Sequence, residues 1–158
     1  MKQISEHVSF REAIRSEIAK RNGINNYFTP DQLVRLQLVA IKVFEPLRNH
    51  FGVPIFVSSF FRTKQLNDLL GGAKGSQHMA NNGAAMDLDA DIYCGITNKQ
   101  IFDYIRLNLD FDQLILENVS IDGTGGWVHV SYNEGKNRKE VLTMKIVNGE
   151  KKYEKYNE

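Results

Sequence analysis

The chain's 158 residues are 42% hydrophobic and 25% charged, the make-up of one globular domain over residues 1–158, which excludes a disordered segment. Its 20 basic and 19 acidic residues leave a net charge of +1, which gives no electrostatic footprint for nucleic acid or an anionic membrane. A single cysteine, Cys94, rules out an internal disulfide; a small packed residue is expected there rather than a reactive thiol.

The opening stretch MKQISEHVSFREAIRSEI lacks the apolar core of a signal peptide, and no run approaches the roughly 18 apolar residues of a membrane helix. Synthesis in a cytoplasm without an export signal is expected, so action outside the cell would need release or carriage by something else. Oligomeric state leaves no mark in the sequence.

A first helix is expected over about residues 10–21. Ser9 and Glu12 form a capping box, Gly23 offers the stop, and Phe10, Ile14 and Ile18 recur on one face. Thr29, Pro30 and Gln32 announce a second helix. Its apolar positions, among them Leu36, Val39, Ile41, Val43 and Leu47, predict heavy burial, and Pro46 predicts a kink or a shortened last turn. VPIFVSSF (53–60) reads as a strand, and a short helix over about 63–70 stops at Gly71–Gly72.

AMDLDADI (85–92) alternates: Met86, Leu88, Ala90 and Ile92 point one way, Asp87, Asp89 and Asp91 the other. Thr97 and Gln100 cap a helix over about 98–109, with Ile101, Phe102 and Ile105 inward. FDQLILE (111–117) and GWVHVSY (126–132) are strand-like and too close for a crossover helix, so they pair antiparallel. The tail reads as a last strand or a hairpin around Asn148–Gly149. The class is α+β, with helices packed on one face of a small, mainly antiparallel sheet.

Of the four histidines, His7 and His50 read as surface residues, His50 at a helix C-terminus where a cation is favoured. His78 lies in the Gly- and Asn-rich loop before the aspartate strand, and His129 lies mid-strand on the face of Trp127 and Ser131. Two histidines and an aspartate on converging elements suit zinc, which in catalytic sites commonly takes three protein ligands and leaves one position open. The three aspartates share a face, and the pattern alone leaves them nearly equivalent. A calcium loop over Asp87, Asp89 and Asp91 fails at its sixth and twelfth positions, Ile92 and Asn98.

Five blocks in order carry a family resemblance: RSEIAKRNGINN, EPLRNHFGVPIFVSSFFR, LGGAKGSQH, GAAMDLDA and the pair FDQLILE…GWVHVSY. Over about residues 9–132 the chain resembles the zinc D-alanyl-D-alanine peptidases, most of all the carboxypeptidase-like branch common in phage and prophage genomes. The resemblance implies a DD-peptidase-like fold and one Zn2+ held by His78, Asp87 and His129. It implies hydrolysis of peptidoglycan stem or cross-bridge peptides, as a carboxypeptidase or an endopeptidase, after phage-type release or as a virion component. It also implies that Arg62, in the Ser-x-x-Arg stretch, binds a substrate carboxylate or carbonyl.

Two departures stand out. Four residues, Met79 to Asn82, separate His78 from Gly83 where the family usually has two; an outward bulge at Asn81–Asn82 is expected, since both tolerate left-handed backbone. Several branches carry a general-base glutamate three residues before the last histidine, where this chain has Gly126. Glu117 is the candidate base if the hairpin pairs Glu117 with Trp127, for then Ile115 faces His129 and Glu117 shares its sheet face; the alternative is a solvated strand end. Ser76 orients the ligand loop or contacts substrate, unless it is a plain loop serine. Trp127 flanks the cleft or belongs to the core. Asp89 supports a ligand histidine through its other ring nitrogen or is a solvated carboxylate. Gly126 and the longer loop also fit a non-catalytic, zinc-stabilised structural or wall-binding virion module, and a metal-free binding protein is a third reading.

Overall fold

Hydroxyl caps start most of the helices. In the computed structural model, which describes residues 2–93 and 95–157, Ser9, Ser16, Thr29, Thr63 and Thr97 each accept a hydrogen bond from the backbone N–H three residues on. Two of these caps divide the first predicted helix. It forms as α1 (Phe10–Ile14) and α2 (Glu17–Arg21), with Arg15 extended between them. Ser16 satisfies the N–H of Ala19 and so begins a new helix instead of continuing the old one. Arg15 turns its guanidinium to Val57 O at 2.7 Å. The break rotates Ile18 outward, so it is exposed, contrary to the expected buried face.

The second helix continues past Pro46 to Phe51, so the proline does not shorten it there. α3 (Pro30–Val39) passes through a π-helical turn (Ala40–Phe44) into α4 (Glu45–Phe51). The wider turn lies just before the proline, where the ring would otherwise meet the carbonyl four residues back. Gly52, left-handed at φ 66°, ends α4. Leu36, Val39, Val43 and Leu47 are buried as expected, while Ile41 faces solvent. α5 (Lys64–Leu69) and α6 (Asn98–Asn108) complete the helices among the described residues.

Six strands form one sheet in the order β1-β2-β4-β3-β5-β6: β1 (Phe56–Ser59), β2 (Ala84–Asp89), β3 (Gln113–Glu117), β4 (Trp127–Tyr132), β5 (Glu140–Val147) and β6 (Glu150–Lys155). All neighbours are antiparallel except β3 and β5. The α+β class with a mainly antiparallel sheet is as expected. The tail is a hairpin, with Asn148 and Gly149 both at positive φ in its turn. β2 ends earlier than the alternation predicts. Asp91–Tyr93 is a 3-10 turn, so Asp91 leaves the strand and Ile92 is 53% exposed instead of core-facing. The expectation for Cys94 lies outside the described residues.

Period-two alternation gives the sheet two unlike faces. Met86, Leu88, Leu114, Leu116, Val128 and Val130 enter the core with Leu36, Phe44, Ile101, Phe102 and Ile105 from the helices. α3 packs on β2, and α6 on β3 and β4. Each fully buried Leu or Val contributes about 1.5–3 kcal/mol, so this face anchors the strands. The opposite face carries Asp87, His129, Ile115 and Glu117.

Candidate metal centre and cleft

Strand register assembles the site. Ser59 pairs with Asp87, Asp87 with His129, and His129 with Ile115, forming one lateral row across β1, β2, β4 and β3. Glu117 pairs with Trp127, the register on which its placement depended, so Glu117 stands on the same face one step along the strand from Ile115. His78 arrives from a 3-10 turn, Gln77–Met79, against this row. One ligand atom from each of His78, Asp87 and His129 can be chosen so that all lie within 4.8 Å of one another. Asp87 Oδ1 is 3.1 Å from His78 Nε2 and 2.9 Å from His129 Nδ1.

The hydrogen bonds fix which nitrogens face the centre. His78 Nδ1–H donates to Phe60 O at 2.7 Å. A neutral His78 then presents its Nε2 lone pair to a carboxylate oxygen, an arrangement of two acceptors that a proton or a cation must bridge. Burial, at 3% exposure, pushes the His78 imidazolium down in pKa despite the Asp87 charge beside it. Burial also opposes ionisation of Asp87, but the flanking histidines outweigh it and hold its carboxyl far below the usual range. A buried carboxylate and a histidine poised to be neutral fit a metal cation between them; two nitrogens and one oxygen are a donor set that zinc takes.

The trio lies on the floor of an open cleft of about 650 Å³ whose lining includes Arg62, Ser76, Ile115, Glu117 and Trp127. Arg62 donates to Ser59 Oγ through Nε and Nη2 (3.0 and 2.9 Å) and to Asp87 Oδ2 at 3.0 Å. Glu117 is buried, and that burial, followed by the Asp87 charge, raises its carboxyl pKa. Trp127 is half-buried in the cleft wall, outside the hydrophobic core. Ser76 precedes the His78 turn and makes no side-chain capping bond.

Asp89 does not touch either histidine. Its Oδ1 accepts from Asp91 N and from Asn98 Nδ2, and the outer nitrogen of His78 is held by Phe60 O instead. Asn98, fully buried, also donates to Gly125 O and Gly126 O and accepts from Ala90 N. Asp89 therefore braces the strand end where β2 and the loop before β4 meet.

The longer loop does bulge outward, with Asn81 and Asn82 exposed. The left-handed residues are its neighbours, Ala80 at φ 53° and Gly83 at φ 76°. At Gly83 a Cβ would meet Tyr132 O at 2.5 Å, so the return of the loop to β2 requires glycine. At Gly126, with φ 59°, a Cβ would meet Glu117 O at 2.0 Å. No side chain fits there on this backbone, so a base glutamate at that position is sterically barred.

Ser59, which anchors Arg62, was legible only as the serine of the Ser-x-x-Arg stretch. Several cleft residues carried no signal in the sequence. Asp112, buried, accepts two Arg138 side-chain bonds (2.9 and 2.8 Å) and one from Gln77 Nε2 at 2.9 Å. Lys151 and Tyr153 reach the cleft from β6. A second trio, Glu6, His7 and Glu45, also gathers possible ligand atoms. There, however, Glu6 is exposed and His7 Nδ1 pairs directly with Glu45 at 2.6 Å. His50 stacks on Tyr104, ring centroids 4.0 Å apart. Among the described residues no helix is long and apolar enough to cross a membrane.

No individual curated protein matches the chain. The family model for Peptidase M15 matches residues 6–131, most of the chain and every element that builds the trio. With that match and this site, the chain belongs to the M15 peptidases, the family of the zinc D-Ala-D-Ala peptidases.

Proposed function

We propose that this protein is a zinc-dependent peptidase that hydrolyses peptide bonds in peptidoglycan stem or cross-bridge peptides, made in a cytoplasm and acting on the wall after release or as part of a virion. The observation that carries the reading is the convergence of His78 Nε2, Asp87 Oδ1 and His129 Nδ1 on the floor of a cleft that also holds Glu117. Membership of the M15 family supports the substrate class. When bound, zinc would polarise the scissile carbonyl and lower the pKa of its water to about 7.

The chain's own residues would do the remaining work. Phe60 O would hold the His78 ring with Nε2 toward the centre. Glu117 would take a proton from the attacking water and pass it to the leaving amine; its raised pKa brings it closer to the working pH of a general base. Arg62 would orient a substrate carbonyl or carboxylate with the guanidinium donors that Ser59 and Asp87 leave free. Trp127 and Ser76 would line the bound peptide.

The test is a digest. Purified protein loaded with zinc should release D-alanine or new amino termini from peptidoglycan peptides, and the product distinguishes carboxypeptidase from endopeptidase. His129→Ala should abolish that release; a fully active mutant would overturn the mechanism. Gly126 motivates the rival reading, a zinc-stabilised virion module, which predicts zinc binding with no turnover.

A further inference from the structure

The family match ends at residue 131, yet one wall of the cleft is built by residues well beyond it. β6 is an edge strand, held by its pairing with β5. Its register is informative. Tyr153 pairs with Met144, Met144 with Glu117, and Glu117 with Trp127, so Tyr153 and Glu117 lie in one lateral row. Lys151, two residues from Tyr153, shares its face. Both side chains line the cleft.

The cations of the cleft are differently committed. Arg62 is engaged by Ser59 and Asp87, and Arg138 is clamped on Asp112. Lys151 Nζ stands 4.0 Å from Glu117 Oε2, too far for a hydrogen bond, with its side chain 56% exposed. Among the described residues it has no other ion pair. Lys136, the remaining cleft lysine, belongs to the loop after β4, on the side of Asp112 and Arg138. Lys151 is therefore an ammonium beside the candidate base with its hydrogen-bonding capacity unspent. Bound to Glu117 alone it would only weaken a general base.

We propose that Lys151, with Tyr153 on the same face of β6, is a specificity subsite for a carboxylate of the peptide substrate, one or two residues from the scissile bond. The spacing follows from reach: Nζ lies 4.0 Å from Glu117, and a peptide residue spans at most about 3.3–3.6 Å. A carboxylate there occupies the ammonium and releases Glu117 from it. Two sources share this chemistry, a free C-terminal α-carboxylate and an acidic side chain. The inference rests on the peptidase reading above.

Four synthetic stem-type peptides ending in D-Ala-D-Ala separate the possibilities. Two carry a free C-terminus, one with an acidic and one with an amidated side chain next to the scissile dipeptide. The other two repeat this pair with a C-terminal carboxamide. Binding to the zinc-loaded protein is followed by the fluorescence of Trp127, the chain's single tryptophan, and cleavage in parallel. Wild type should prefer a carboxylate over its amide about tenfold at one of the two positions, and that position identifies the source. Lys151→Met should erase the preference, Lys151→Arg should keep it, and Tyr153→Phe should reduce it. If wild type cleaves the peptides but shows no preference, or Lys151→Met retains it, the subsite is wrong while the peptidase stands. If wild type cleaves neither these peptides nor peptidoglycan, the peptidase reading falls and takes the subsite with it.

Discussion

At the scale of single residues, Glu117 and the trio make opposite demands on the fold. Glu117→Gln keeps the shape and removes the proposed proton acceptor, so turnover should fall by about 10²–10⁴, with zinc affinity changed little. Calorimetric titration of zinc alongside the peptide digest checks both halves; a parallel loss of metal would make Glu117 a ligand instead of a base. The same residue has a stability signature in the metal-free protein. Burial raises its folded pKa, so the native state holds the proton longer than the unfolded chain does. Stability is then lost as pH rises from the ordinary carboxyl range, about 4.3, through the folded value. Glu117→Gln should therefore melt higher than wild type at neutral pH, and the gap should close below about pH 4; melting curves at the two pH values decide it. Sequence pattern reached His78, His129 and Glu117 but not the choice among the three aspartates. Only the family resemblance singled out Asp87. In the structure the distinction is physical: Asp87 is paired with His129, Asp89 bonds Asn98, and Asp91 has left the strand.

At the scale of elements, backbone conformation decides what side chains alone leave open. Restoring bulk at Gly126 would force a residue into left-handed backbone and drive its Cβ into Glu117 O. Gly126→Ala should cost at least about 2 kcal/mol, read as a lower denaturation midpoint at unchanged slope. A midpoint equal to wild type would contradict the geometry. Asp112 ties the start of β3 to the loop before β5 and, through Gln77, to the loop bearing His78. Burial opposes its ionisation, but Arg138 and Gln77 hold its carboxyl below the ordinary range. Its stabilisation is thus present above about pH 4 and lost as pH falls through the folded value. Arg138 is half-exposed, so Arg138→Ala should cost only about 1–2 kcal/mol near neutrality. The difference in melting temperature from wild type should shrink on acidification; a pH-independent difference would point to lost packing. Elements were more legible than their joints. Caps and alternation located the helices and strands, whereas the break at Ser16 goes with a tertiary partner, Val57 O, which takes the Arg15 guanidinium. The Asp112–Arg138 pair spans 26 residues in sequence, beyond any local pattern.

At the scale of the whole molecule, the sheet divides the labour between its faces. Helices and core hold β2, β3 and β4 in register on one side, and that register places Asp87, His129 and Glu117 on the other. The third member of the trio, His78, comes from a buried turn outside the sheet, held by Arg62 N to His78 O, His78 Nδ1 to Phe60 O, Gln32 to Met79 O and Gln77 to Asp112. A metal would join that turn to two central strands, and binding to the native state alone would stabilise the fold by mass action. At a free zinc concentration 100 times the dissociation constant this amounts to about 2.7 kcal/mol. For a domain of this size it raises the melting temperature by roughly 5–10 °C. Scanning calorimetry with zinc and with a chelator should show that difference in wild type and none in His129→Ala. Equal shifts in both proteins would place the bound metal elsewhere, with Glu6, His7 and Glu45 the alternative cluster to test. Zinc stabilisation that persists in Glu117→Gln while turnover disappears would separate the two roles proposed for this face: holding a metal, assigned to the trio, and moving a proton, assigned to Glu117.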